Sequence, residues 1–274
     1  MFAASYSRSL TTDPTHRPTH GGNLVWAASI AACEPGEILD FSASINPLGP
    51  PASAIAAMQA NLIPLLRAYP DPSYADLRAA LGEHHNLDPD WILPGNGAAE
   101  LLTWCARELS ALPATYLPTP AFGDYRRSLA AFSAKVVPLP LPLSGPFLLP
   151  EFPAAAKTCG LILNNPHNPT GGLFERLTLL PLLEKFALVV LDEAFMDFLP
   201  GGESFVEAVR DWPNLVILRS LTKFFSLPGL RIGYAIAHPE RLRRWQQWRD
   251  PWSVNAMDAT AASALTDQGS RHCC

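Results

Sequence analysis

The sequence predicts an α/β fold, a mostly parallel central sheet flanked by helices in three layers, on three observations. Short apolar runs recur at 91–93, 114–117, 135–139, 160–163, 188–191, 215–218 and 232–236, several of them continuously apolar rather than alternating. Strands buried on both faces have that pattern. Segments with helical spacing lie between many of these runs, the order of elements that builds a parallel sheet. The composition, 48% hydrophobic and 16% charged over 274 residues, is that of a globular chain with a large core.

Taken in order, residues 1–19 are polar and broken by prolines, and they read as a flexible arm. Pro47, Pro50 and Pro51 precede an alanine-rich helix over 52–60, which Pro64 is expected to end. After the loop Tyr69-Pro70-Asp71-Pro72-Ser73, Ser73 is expected to cap a helix with the stripe Leu77, Ala80 and Leu81, closed by Asn86 and Pro89. The first strand leads through Pro94-Gly95-Asn96-Gly97 into a helix whose buried face is Leu101, Leu102, Cys105, Ala106 and Leu109. The proline-rich stretch 139–153 is a connecting excursion. An alanine-rich helix follows at 257–265, and residues 266–274 abandon its pattern, so the chain reads as cut off.

Composition also excludes classes of partner. A net charge of -5 supplies no cationic field for nucleic acid or an anionic membrane surface, which leaves small molecules. The cluster Arg241, Arg243, Arg244 and Arg249 reads as a solvated helix face. Cysteines at 33, 105, 159, 273 and 274 form neither a disulfide framework nor a zinc spacing. With no leader pattern and no apolar run of membrane-spanning length, the default location is cytoplasmic.

Chemistry is expected at the carboxyl ends of the strands. Gly95-Asn96-Gly97-Ala98-Ala99-Glu100 opens a helix and is either a phosphate-binding N-terminus or an ordinary turn. Phe122, in Pro120-Ala121-Phe122-Gly123, either stacks on a planar cofactor or packs in the core. Asn168, within Asn164-Asn165-Pro166-His167-Asn168-Pro169-Thr170-Gly171-Gly172, offers an amide N–H to a ring oxygen or merely bonds backbone.

Asp192 ends a strand that should be central, where a carboxylate is costly unless paired, and a protonated ring nitrogen would pair it. Glu193 points to the other face, which disfavours joint metal ligation, so no metal is expected. Finally, Ser220-Leu221-Thr222-Lys223 through Gly229-Leu230-Arg231 sets a lysine among hydroxyls and apolar residues. Such an amine deprotonates easily and can form a Schiff base with an aldehyde, while Ser220, Thr222 and Arg231 hold a phosphate. Taken alone, it reads rather as a surface lysine at a strand end with a solvated arginine.

These motifs, in this order, resemble the fold-type I aminotransferase superfamily. His20-Gly21-Gly22-Asn23, Asp40 through Pro50, and Pro251-Trp252-Ser253-Val254-Asn255 resemble its threonine-phosphate decarboxylase branch, as does Phe195, where histidinol-phosphate aminotransferases usually have tyrosine. The resemblance implies pyridoxal 5'-phosphate as cofactor, with Lys223 as Schiff-base lysine, Asp192 beside the ring nitrogen, Asn168 beside the ring hydroxyl and Phe122 stacked on the ring. It implies a phosphate cradle of Ser220, Arg231 and the N–H groups of Gly97 and Ala98, completed by Tyr69 from a second subunit, hence a homodimer. Substrate contacts would come from His20, Gly21, Asn168 and Ser44, the last standing where the branch usually has asparagine.

The implied organisation is an arm (1–19), a substrate-loop segment (20–51), a cofactor-binding large domain (52–265) and an aberrant tail (266–274), the small C-terminal domain being largely missing. The implied reaction is decarboxylation of L-threonine O-3-phosphate to (R)-1-amino-2-propanol phosphate in cobalamin biosynthesis. Its turnover would be weakened by loss of the arginines that the small domain normally supplies. A histidinol-phosphate aminotransferase-like transaminase and a non-catalytic remnant are the alternatives.

Overall fold

The computed structural model describes residues 18, 21–142, 144 and 146–266, and the chain divides into two units, 1–44 and 45–274. The arm apart from Pro18, the candidate substrate residue His20, and the tail from 267 onward lie outside the described residues. In the first unit, helix α1 (Leu24–Ala31) starts where Asn23 Oδ1 accepts the Trp26 N–H at 3.0 Å, a side-chain cap of the usual kind.

The second unit is built on strands β1 (Ile92–Asn96), β2 (Thr115–Thr119), β3 (Val136–Pro140), β4 (Gly160–Asn164), β5 (Leu188–Asp192), β6 (Leu215–Ser220) and β7 (Ile232–Ala237). They form one sheet in the order β1-β7-β6-β5-β4-β2-β3, in which only β7 runs against its neighbours. Every apolar run expected to be a strand is therefore one. The helices are α2 (Ala52–Arg67), α3 (Ala75–His85), α4 (Gly97–Leu109), α5 (Gly123–Ala131), α6 (Arg176–Lys185), α7 (Pro239–Trp248) and α8 (Ala256–Thr266).

Alternate strand residues divide between two helical layers, as the pleat requires. Leu188, Val190, Val216, Leu218 and Ala235 pack with Leu101 and Cys105 of α4, Leu129 of α5 and Trp245 of α7. Val189, Leu191, Leu215, Ile217 and Tyr234 pack with Leu77 and Leu81 of α3, Leu182 of α6 and Leu265 of α8. We call these the front and back faces.

Local expectations fail at three places. Helix α2 continues through Pro64, because the proline lies on an exposed stretch where the carbonyl it leaves unpaired is solvated. Ser73 does not cap α3: Asp71 does, its carboxylate accepting the N–H groups of Ser73 and Ala75, both at 2.9 Å, with the Ser73 hydroxyl turned toward it. The arginines of α7 and the residue after it are a solvated face only in part, since Arg243 and Arg244 are exposed while Arg241 and Arg249 are not. Arg241, Arg244 and the Trp245 indole N–H converge on Glu108, and Arg249 is buried against the Pro94 carbonyl. A carboxylate on the neighbouring α4 recruits these charges, which periodicity along α7 cannot reveal.

Candidate active site

The parallel strands and β1 end along one edge of the sheet, where β7 begins, and most of the expected chemistry gathers there. Asp192 closes β5 and belongs to the front face by alternation. Its Oδ1 accepts the Ala194 N–H at 2.9 Å and its Oδ2 the Tyr125 hydroxyl at 2.7 Å. Burial holds its pKa above the usual carboxylate value, the Tyr125 and Ala194 hydrogen bonds and the charge of Lys223 opposing and the nearby Glu193 adding to the rise. A carboxylate placed so is short of a counter-charge. Tyr125, on α5, was not among the sequence candidates, since nothing along the chain marks a hydroxyl that meets a carboxylate 67 residues away. The ring of Phe122 stands 5.5 Å from that of Tyr125, edge to face, and remains 38% exposed, leaving room for a further ring.

Lys223 lies in the turn after β6. Asn46 holds that turn twice, its N–H donating to the Lys223 carbonyl at 3.1 Å and its amide to the Phe224 carbonyl at 2.9 Å. Burial presses the pKa of Lys223 below that of a solvated lysine, repulsion from Arg231 presses it further, and Asp192 opposes both. The three charges thus share one small region.

Beside them is a cradle suited to a phosphate. Gly97, at φ +70°, lies so near Arg231 that a Cβ there would stand 2.9 Å from Nη2. The Arg231 guanidinium donates to the Pro228 carbonyl at 3.1 Å, and its backbone N–H to Asp258 at 3.1 Å, which fixes the turn. Ser220 and Thr222 join hydroxyls at 2.8 Å. With the N-terminus of α4 at Gly97 and Ala98, this collects a guanidinium, two hydroxyls and the first backbone N–H groups of a helix, which have no partner within it.

Gly233 underlies the cradle, for a Cβ there would meet Ala98 N at 2.6 Å and the Arg219 carbonyl at 2.7 Å. Gly233→Ala should push the Gly97–Ala98 turn off the sheet. We expect a loss of about 1–3 kcal/mol of stability, the usual cost of overpacking, together with weaker uptake of a phosphorylated cofactor. A denaturant titration and a binding isotherm measure the two.

Asn168 lies half-buried on the loop leaving β4, whose last residue Asn164 is paired in register with Asp192. The Asn165 side chain clamps Phe174 through both its N–H and its carbonyl, and His167 Nδ1 meets the Thr170 hydroxyl at 2.8 Å, so the loop is anchored without using the Asn168 amide. Tyr69, by contrast, is 80% exposed, its ring 4.8 Å from that of Trp252, and it bonds to none of the residues above. Gly21 and Ser44 belong to the first unit. A Cβ on Gly21 would stand 2.1 Å from the Ser42 carbonyl oxygen, and Ser44 holds φ at 51°, a conformation asparagine tolerates better than serine. Among the described residues no group of three or more His, Cys, Asp or Glu is placed to hold a metal ion, and no helix is long and apolar enough to cross a membrane.

The profile of the family described as aminotransferase class I and II matches residues 36–272. The chain is 40% identical over 264 residues to the threonine-phosphate decarboxylase of Salmonella typhimurium, covering 90% of this chain and 70% of that protein. It is 34% identical over 236 residues to the histidinol-phosphate aminotransferase of Symbiobacterium thermophilum, covering 84% of this chain and 65% of that one. Among solved structures, the L-threonine-O-3-phosphate decarboxylase from Porphyromonas gingivalis superposes with a TM-score of 0.75 at 26% identity, over 84% of this chain and 69% of the other. The expected fold, that of the large domain of fold-type I enzymes, is the one found.

Proposed function

Since the chain belongs to the aminotransferase class I and II family, whose cofactor is pyridoxal 5'-phosphate, we propose that it decarboxylates L-threonine O-3-phosphate to (R)-1-amino-2-propanol phosphate. The 40% identity over nine-tenths of the chain carries this reading. Phe195 supports it, a position without the hydroxyl usual in the histidinol-phosphate enzymes.

The residues present fit the cofactor. The side of Gly97 that a Cβ would fill faces the Arg231 guanidinium, with Ser220 and the Ala98 N–H to share a phosphate. Asp192 supplies the negative charge for a protonated ring nitrogen, Phe122 an open ring face and Asn168 an amide without a partner among the described residues. When bound, the cofactor is an electron sink for the pair released at Cα. Lys223, which gives up its proton more readily than a solvated lysine, holds the amine that binds the cofactor and delivers the proton that replaces carbon dioxide at Cα. Gly21 and Ser44, with His20, contact the substrate.

The protein acts in the cytoplasm as a homodimer. Ile63, Leu66 and Tyr69 are respectively 62%, 67% and 80% exposed toward the end of α2, an apolar face of the kind that subunits cover. From across that interface Tyr69 completes the partner's phosphate cradle.

Purified protein supplied with the cofactor and phosphothreonine is expected to release carbon dioxide without accumulating pyridoxamine phosphate. Accumulation of pyridoxamine phosphate with histidinol phosphate would instead establish the transaminase reading, which the 34% identity to an aminotransferase keeps specific.

A further inference from the structure

The two strands that end in Asp192 and Ser220 carry a second set of charges on the opposite face of the sheet. By the alternation that puts Val190 and Leu218 on the front, Asp192 and Ser220 are front residues, and Arg219 and Glu193 belong to the back. There Arg219 Nη1 donates to Glu193 Oε2 at 2.9 Å, and Nη2 donates to Asp197 in the short helix Met196–Phe198. Glu193 takes two more donors, the Ser204 hydroxyl at 2.6 Å and the Phe205 N–H at 2.7 Å. Next to Arg219 in register is Tyr234 of β7, whose hydroxyl meets His85 Nε2 of α3 at 2.8 Å. Burial, with the charges of Arg219 and His84, holds the His85 pKa down to about 3, so the imidazole adds no cation at working pH.

Glu193 is 0% exposed and Arg219 4%. A buried pair of this kind generally contributes less net stability than apolar residues of the same volume. What it does supply is geometry, because the planar guanidinium fixes where two carboxylates stand relative to β6. One residue from Glu193 along the chain is Asp192; one residue from Arg219 is Ser220.

We propose that Arg219 and Glu193 are positioning residues, an ion pair that sets from the back of the sheet the spacing of Asp192 and Ser220 across the candidate cofactor site. The inference rests on the cofactor reading above. It explains why charges stand inside an otherwise apolar core, beside the two front-face residues that most need a fixed separation. Asp192 would meet a ring nitrogen while Ser220 meets a phosphate carried on a short arm of the same ring, so their spacing decides how the ring lies in the site.

The test is pyridoxal 5'-phosphate binding to the apoprotein, followed by equilibrium dialysis and by the visible circular dichroism of the bound cofactor, which reports its orientation. Measurements are made well below the melting temperature of each variant. Glu193→Gln keeps the shape and removes the charge, and it is expected to weaken binding about tenfold and to diminish the visible band at saturation. Arg219→Lys, which keeps the charge but loses the planar fork, should show the same two losses. Ser204→Ala removes one of the hydrogen bonds to Glu193, together with the longer one that the hydroxyl accepts from the Val206 N–H, and serves if Glu193→Gln does not fold; about twofold to threefold weaker binding is expected. Wild-type affinity and an unchanged band in these folded variants would overturn the positioning role and leave the cofactor reading intact. No uptake by the wild type would overturn both.

Discussion

Replacing Lys223 with methionine is expected to lower turnover by about 10³-fold or more while leaving the chain folded, because it removes the amine proposed above to move the proton at Cα and keeps the side chain's length. The backbone of the turn is held independently by Asn46, so the substitution has no structural hydrogen bond to break. The same substitution also gives a result without any substrate. Burial and the charge of Arg231 press the Lys223 pKa down in the folded state, which means that folding disfavours its charged form. That cost is complete at pH values below the folded pKa and disappears as the pH rises toward the unfolded value of about 10.4. Lys223→Met should therefore melt higher than wild type at pH 7 in the absence of cofactor. The gap should close toward pH 10. Undiminished carbon dioxide release by the variant would remove Lys223 from the mechanism, and a lower apoprotein melting temperature at pH 7 would contradict the account of its pKa.

What the sequence revealed and what it hid follow from the range of the interactions involved. The strands were legible because burial on both faces of a sheet demands uninterrupted apolar residues, a signal contained within five or six positions. That Asp192, Lys223 and Arg231 would gather at one end of the sheet was legible because a charge at the end of such a run needs a reason. The same argument applied to Arg219, enclosed by Leu218 and Leu221 in one apolar run, would have asked for a buried partner, and the adjacent carboxylates Asp192 and Glu193 were available. Tyr125 had no such signal: a tyrosine on an amphipathic helix is unremarkable until the fold brings Asp192 to its hydroxyl. Nor could the nearness of Gly97 to Arg231 be read, since 134 positions separate them and their meeting depends on β1 and β7 being neighbours in the sheet. Helix ends failed for a local reason. Asp71 and Ser73 are both competent caps, and the left-handed conformation of Tyr74, φ 49°, decides in favour of Asp71.

Asp192→Asn should separate stability from function in the opposite way to most active-site damage. In the folded apoprotein, burial outweighs the hydrogen bonds from Tyr125 and Ala194 and raises the Asp192 pKa, so that folding favours the protonated acid. For an acid shifted upward, the cost is absent below the unfolded value of about 3.9, grows as the pH rises through the folded pKa and is complete above it. Asparagine has no charge to bury and retains an oxygen for one of the two donors. The variant apoprotein should thus match wild type near pH 3 and melt higher once the pH exceeds the folded pKa. Adding pyridoxal 5'-phosphate should reverse the order, because a protonated ring nitrogen gives the wild-type carboxylate the counter-charge that it lacks and gives asparagine nothing comparable. The cofactor-induced rise in melting temperature should be larger for wild type, and turnover of the variant should fall about 10²- to 10³-fold, as when a charge-stabilising group is lost. Melting curves with and without cofactor across the pH range test both halves. An Asp192→Asn apoprotein less stable than wild type at neutral pH would mean that the carboxylate already has its counter-charge within the chain, most directly from Lys223, and that the site does not hold an acid in wait for a cationic ring.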